Sequence, residues 1–194
     1  MKQRKSKITR KTNETDISVE INLDKAEKPK ISTTIGFLDH MLELFAMHSG
    51  ISLKIKASGD THIDDHHLVE DIGITVGKAL KEALGDKKGI VRYGHFLLPM
   101  DEALAYAALD LSGRFFLSYE AGIKFQKTGF NYDLIHEFFY ALACNAGITL
   151  HIKMMKGRNN HHIAEAIFKG FGRAFRQAIA YSKDKRIPST KGVL

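Results

Sequence analysis

Cysteine is nearly absent: of 194 residues only Cys144 carries a thiol. A single thiol excludes a disulfide framework and a thiolate zinc cluster. It suits a reducing compartment, so a cytoplasmic location is expected. No apolar run approaches the roughly 20 residues of a membrane-spanning helix. The basic start Met1-Lys2-Gln3-Arg4-Lys5 lacks the apolar stretch of a secretion signal. The expectation is a soluble, unprocessed chain with no membrane partner. Gly122, Gly129 and the other scattered glycines form neither a Walker nor a dinucleotide fingerprint, so nothing supports nucleotide binding.

Charge is more plentiful, but much of its excess is local. The net charge is +7, and Lys2, Arg4, Lys5, Lys7, Arg10 and Lys11 all fall at the start of the chain. Read as a solvated basic segment over residues 1–11, they leave a remainder close to neutral. A nucleic-acid partner is therefore not expected from charge alone. A hydrophobic content of 44% is ordinary for a chain that buries a core. The abundant residue is histidine, ten in all, several of them adjacent or at helical spacing.

The chain repeats itself. Met41 to Ile55 matches Phe138 to Ile152 at an offset of 97, with Gly50-Ile51 against Gly147-Ile148. His66-His67-Leu68-Val69-Glu70 matches His161-His162-Ile163-Ala164-Glu165 at an offset of 95, and Gly77-Lys78-Ala79 continues against Gly172-Arg173-Ala174. Ile17 to Asp24 has a weaker counterpart in Ala103 to Asp110. Two matches in step indicate duplication, with a first repeat over residues 12–92 and a second over 93–194. Each half reads as strands, a helix, a strand and a helix. Residues 15–24 and 51–57 alternate as strands, whereas Leu38, Met41, Leu42 and Phe45 are spaced for a helix. Further helices are expected from Asp65 to Ala83, ending at Gly85, from Tyr132 to Cys144, and from Ile163 to Ile179, with a turn at Gly113. The class is α+β, with two sheets and two helix pairs. Packing about a pseudo-twofold axis would let equivalent residues converge on shared sites.

Residues four apart share a helix face, so His66 with Glu70, and His161 with Glu165, can each offer an imidazole and a carboxylate to one cation. His67 and His162 project about 100° round the helix and suit a different ion. His40, in the preceding helix, aligns at the same offset of 97 with Glu137, and both are competent ligands. Paired histidines alone would be ordinary surface decoration, but the pair occurs twice with its glutamate at fixed spacing. Imidazole with carboxylate accommodates Mn, Fe, Co, Ni or Zn. His62, His95 and His151 fall outside this pattern and read as structural or exposed.

Gly36-Phe37-Leu38-Asp39-His40-Met41-Leu42, Asp65-His66-His67-Leu68-Val69-Glu70-Asp71, Pro99-Met100-Asp101-Glu102-Ala103, Leu109-Asp110-Leu111-Ser112-Gly113-Arg114 and Pro188-Ser189-Thr190-Lys191-Gly192 occur in this order. In these segments the chain resembles the imidazoleglycerol-phosphate dehydratase family, from about Thr12 to Leu194. The resemblance implies a duplicated fold like ribosomal protein S5 domain 2, and two divalent metal ions per site, Mn2+ in that family. It also implies a homo-oligomer, a twenty-four-subunit shell built from trimers with sites between subunits. The ligand set it implies is His40, His66, His67, Glu70, His161, His162 and Glu165, with the eighth place on Glu137. Many relatives carry histidine at that place, where this chain reads His136-Glu137, so His136 remains the alternative.

The activity implied is a hydro-lyase step of L-histidine biosynthesis. Imidazole glycerol phosphate, a small phosphorylated imidazole, would be dehydrated to imidazole acetol phosphate through a di-metal-bound imidazolate. That resemblance makes Glu14 the acid/base candidate, with Asp101 near the matching place in the second half; without it, Glu14 would pass for a surface carboxylate and Asp101 for a turn residue. His48 resembles a position near the substrate, where His40, His66, Glu70 and His161 would also lie. Arg92, Arg114, Lys169, Ser189 and Lys191 match the family's phosphate contacts, and the Pro-Ser-Thr-Lys-Gly tail suits an anion cradle. Three other readings compete: a di-metal phosphoester hydrolase, a basic RNA-binding α+β module, and a purely structural metal role. The RNA reading leaves the duplicated His/Glu pattern unexplained.

Overall fold

The computed structural model describes residues 3–123 and 129–192. Met1, Lys2, residues 124–128, Val193 and Leu194, where the resemblance ends, lie outside the described residues. The first half comprises β1 (Lys5–Lys11), β2 (Thr15–Asn22), β3 (Lys30–Ser32), α1 (Gly36–Ser49), β4 (Ser52–Gly59) and α2 (His66–Leu84). The second repeats the order with β5 (Tyr93–Met100), β6 (Ala103–Asp110), β7 (Phe116–Glu120), α3 (Leu134–Ala146), β8 (Thr149–Lys156) and α4 (Asn160–Ile179). Each half holds one four-stranded mixed sheet, ordered β1-β2-β4-β3 and β5-β6-β8-β7. The duplicated α+β architecture is therefore present, with four helices and two sheets among the described residues. No helix among the described residues is long and apolar enough to cross a membrane.

The basic start is not a solvated tail. Lys5–Lys11 pairs antiparallel with β2 in unbroken register, and its exposed lysines alternate with half-buried Ser6, Ile8 and Arg10. That period-2 pattern fits a strand with one covered face. Ser6 donates to the Ala79 carbonyl at 2.8 Å and Arg10 lies 2.8 Å from buried Asp71, both tying β1 to α2. Upstream of the strand, Arg4 forks onto Asp24 and donates to the Ile179 carbonyl at 2.6 Å.

Strand register corrects the weaker part of the repeat alignment. Asn22 faces Ser52 and Asp110 faces Thr149. Because Ser52 and Thr149 are equivalent at an offset of 97, Asn22 is equivalent to Asp110, an offset of 88 rather than the 86 read from Ile17 and Ala103. Propagated back along the hairpin, this pairs Glu14 with Glu102, not with Asp101.

The helices pack across the halves, α1 against α4 and α2 against α3. Phe45 of α1 stacks on Phe171 of α4 at 5.1 Å, and Phe139 of α3 meets Phe168 of α4 at 4.9 Å. All of these rings are fully buried, each stabilising the fold by roughly 2–3 kcal/mol through removal from water. Two repeat-equivalent glycines permit the close crossings. A Cβ on Gly77 would fall 2.6 Å from the Leu142 carbonyl oxygen, and one on Gly172 2.9 Å from that of Phe45. Helices α1 and α3 end on the equivalent left-handed glycines Gly50 and Gly147.

Candidate functional site

The duplicated His-His pair opens α2 and α4. Asn159 caps α4, its side-chain oxygen accepting from the His161 and His162 amides, and Asp64 accepts from the His66 amide at 2.8 Å. Each pair is thus anchored at a helix start, with its two rings nearly perpendicular.

The α1–α4 crossing brings His40 to His161 and Glu165. His40 Nε2 and His161 Nε2 lie 3.1 and 3.0 Å from the same oxygen, Glu165 Oε1. Lys169 donates to the other oxygen, Oε2, and lies 3.4 Å from Met100 Sδ. Burial pushes the Glu165 carboxyl up, but the bonds from Lys169, His40 and His161 outweigh it and hold it at about 2. Phe37, backed by Phe130 and Tyr132, meets the His161 ring edge-on. His48 lies near Lys169 and Arg173, and its burial together with those two cations keeps its pKa below the ordinary value.

A second group forms from Glu14, Asp60 and His67. His67 Nδ1 is 3.0 Å from Asp60 Oδ2 and 3.8 Å from Glu14 Oε2. In the second half, His162 Nδ1 is 2.7 Å from Glu102 Oε2, and its Nε2 is 3.7 Å from Asp101 Oδ2. Hydrogen bonding to Asp60 raises the His67 pKa, and hydrogen bonding to Glu102 raises that of His162. The His162 bond, supported by the Asn159 and Arg158 amides, lowers Glu102 to about 2. Asp101 sits in the β5–β6 turn at φ 47°, with its carboxylate exposed.

The remaining expected ligands are less closely drawn together within one chain. His66 Nε2 is 3.8 Å from Glu70 Oε2, one helical turn away. Glu137 turns its Oε1 to His136 Nδ1 at 3.0 Å, and the two groups of three found among the described residues contain neither residue.

The expected phosphate contacts gather elsewhere. Arg92, Arg114, Ser189 and Lys191 line one cleft of about 860 Å³, together with Lys88 and Arg186. Arg92 is committed within it: its guanidinium forks onto Asp110 at 2.7 and 3.0 Å and donates to the Pro188 carbonyl at 2.7 Å. It therefore holds the 187–192 segment against the second sheet. Lys169 does not line this cleft and lies instead at the Glu165 group.

Two residues that bond the paired histidines, Asp60 and Glu102, escaped the sequence reading. Glu102 was legible in principle, since the offset of 88 carries Glu14 onto it. Asp60 was not, because at an offset of 97 its counterpart is Gly157.

The fold and these groups define a duplicated α+β protein carrying histidine–carboxylate clusters competent to hold divalent cations. The family model described as imidazoleglycerol-phosphate dehydratase matches residues 33–175. The chain belongs to the imidazoleglycerol-phosphate dehydratase family, metal-dependent enzymes of histidine biosynthesis. It is 81% identical over its full length to the imidazoleglycerol-phosphate dehydratase of Endomicrobium trichonymphae, all of which is covered, and 58% identical, again over both full lengths, to that of Desulforamulus reducens. The Staphylococcus aureus enzyme structure superposes with a TM-score of 0.83 at 44% identity, covering 92% of this chain and 99% of that one. The Pyrococcus furiosus structure, a complex with (S)-C348, superposes at 0.84 and 44%, covering 96% and 100%.

Proposed function

We propose that this chain dehydrates imidazole glycerol phosphate to imidazole acetol phosphate in the cytoplasm, using two divalent metal ions per site, Mn2+ in the first instance. The carrying observation is the convergence of His40 Nε2 and His161 Nε2, from opposite halves, on one oxygen of Glu165. Two imidazole nitrogens and a carboxylate make a donor set suited to a first-row divalent ion. Lys169 supplies positive charge at the same carboxylate. His40, His161 and Glu165 would hold one ion, and His66, His67, Glu70 and His162 would contribute to the pair, with Glu137 as the remaining candidate. Bound there, the ions would act as Lewis acids toward the imidazole nitrogens of the substrate.

The chain's own residues supply the rest. The carbon beside the ring loses its hydroxyl, and the next carbon loses its proton. Glu14, exposed and 3.8 Å from His67, is the carboxylate assigned to take that proton; Asp101 is the second candidate. The resulting enol becomes the ketone by proton return to carbon, so one water leaves in all. Arg114, Ser189 and Lys191 are assigned to the phosphate, in the cleft that Arg92 braces.

Assembly between subunits, as in a shell built from trimers, is part of the same reading. Two features support it: the basic cleft contains none of the ligand histidines, and large apolar side chains, Leu97, Phe116 and Met155 among them, stand more than half exposed. The test is turnover by chelator-stripped protein with and without Mn2+, with metal content measured per chain. Ketone formed only after metal addition supports the reading. Bound metal without ketone, or release of inorganic phosphate, overturns the substrate assignment and favours hydrolysis.

A further inference from the structure

The duplicated histidines His67 and His162 are held from behind by carboxylates that occupy different places in the two repeats. Asp60, which follows β4, reaches His67 Nδ1 at 3.0 Å, and Glu102, in the β5–β6 turn, reaches His162 Nδ1 at 2.7 Å. An ionised carboxylate only accepts, so each Nδ1 must carry the proton. The tautomer is then fixed, with the Nε2 lone pair facing away from the carboxylate. Glu102 is pinned in its turn by the amides of Asn159 at 2.9 Å and Arg158 at 3.3 Å, which ties it to the very start of α4.

The repeats differ at one informative point. The hairpin-turn carboxylates Glu14 and Glu102 are equivalent, yet Glu102 hydrogen-bonds its histidine whereas Glu14 stands 3.8 Å off, beyond hydrogen-bond range. Asp60 has taken over in the first half the task that Glu102 performs in the second. We infer that Asp60 and Glu102 are positioning residues that fix His67 and His162 for metal binding through Nε2, and that Asp60, by holding His67, leaves Glu14 free to act on the substrate. The inference rests on the proposed function, in which His67 and His162 are ligands. Metal-bound histidines generally depend on such outer partners, whose loss lowers metal affinity by about 10–100-fold.

Glu102→Gln is the discriminating variant. A glutamine carbonyl can keep the bonds from the Asn159 and Arg158 amides, but its NH2 then faces Nδ1 and demands the opposite tautomer. Mn2+ affinity of the full-length apo protein is measured by titration followed by electron paramagnetic resonance, beside thermal melting of the same apo samples. For Glu102→Gln and Asp60→Ala the expected result is Mn2+ affinity weakened about 10–100-fold, with the Glu102→Gln melt unchanged and kcat substantially regained at saturating Mn2+. Glu14→Gln should do the reverse, losing kcat at unchanged Mn2+ affinity. Wild-type affinity in Glu102→Gln, or an equal loss of affinity in Glu14→Gln, overturns the division of labour while leaving the ligands in place. Unchanged Mn2+ affinity in His162→Ala removes the ligand assignment itself, and the inference with it.

Discussion

Lys169 donates to Glu165 Oε2 from one turn further along α4, while His40 and His161 share the other oxygen of that carboxylate. An ammonium thus sits against the carboxylate proposed to ligate a cation, and like charges at such range oppose one another by a few kcal/mol at an effective dielectric of about 20. Lys169→Met is expected to tighten Mn2+ binding by about tenfold or more while lowering kcat/KM for the phosphorylated substrate. Metal titration beside steady-state kinetics checks both directions. Weaker Mn2+ binding in the variant would mean that Lys169 orients Glu165 rather than competing at it.

Arg92 and Arg114 line the same cleft but should answer differently to truncation. Arg92→Ala strands the partly buried Asp110 and frees the Pro188 carbonyl, so a loss of about 3 kcal/mol is expected. Arg114→Ala removes an exposed cation, and the expected outcome is a rise in KM of about tenfold with the melting temperature unchanged. Chemical denaturation and substrate-dependence curves separate the two. Equal stability of both variants would contradict the bracing role of Arg92.

Gly172→Ala would place a Cβ 2.9 Å from the Phe45 carbonyl oxygen and 3.0 Å from the His48 Cβ. Because α1 and α4 meet backbone to backbone here, overpacking should cost about 2–3 kcal/mol. It should also weaken metal binding, since the same crossing sets His40 against Glu165. A variant with native stability and native Mn2+ affinity would show that the crossing can widen without disturbing the site.

Arg4 binds Asp24 through side chain and backbone and stacks over Tyr181 at 4.2 Å. Burial raises the Asp24 carboxyl, but the Arg4 bonds outweigh it and leave the pKa below the ordinary 3.8. The folded value is depressed, so the stabilisation is present above the ordinary carboxylate pKa and is lost as pH falls through the lowered one. Arg4→Ala should lose about 1–2 kcal/mol at neutral pH and show a flatter decline of stability in the acid limb below about pH 4. Denaturation curves at several pH values test this, and an unchanged acid limb would count against it.

Much of the fold is legible in local pattern. Helices α2 and α4 begin within three residues of their expected starts and stop within a residue of their expected ends, because apolar spacing, and for α2 the terminal Gly85, are properties of neighbouring residues. Lys5–Lys11 was misread because its lysines dominate the composition, whereas strand formation depends on its other face meeting α2. The offset between hairpins was misjudged by two residues, since β2 and β6 share little sequence and only their register with β4 and β8 aligns them.

The duplication, the α+β class and the identity of the histidine–glutamate pairs are all written in order and spacing along the chain. Which partners those side chains meet depends on packing between distant segments. His40 reaches Glu165 because α1 crosses α4 from the other repeat. Asp60 and Glu102 reach histidines 7 and 60 residues away because loops outside the helices fold back against them. Contacts between segments far apart in sequence follow from how the two repeats pack together, and no local periodicity encodes that packing.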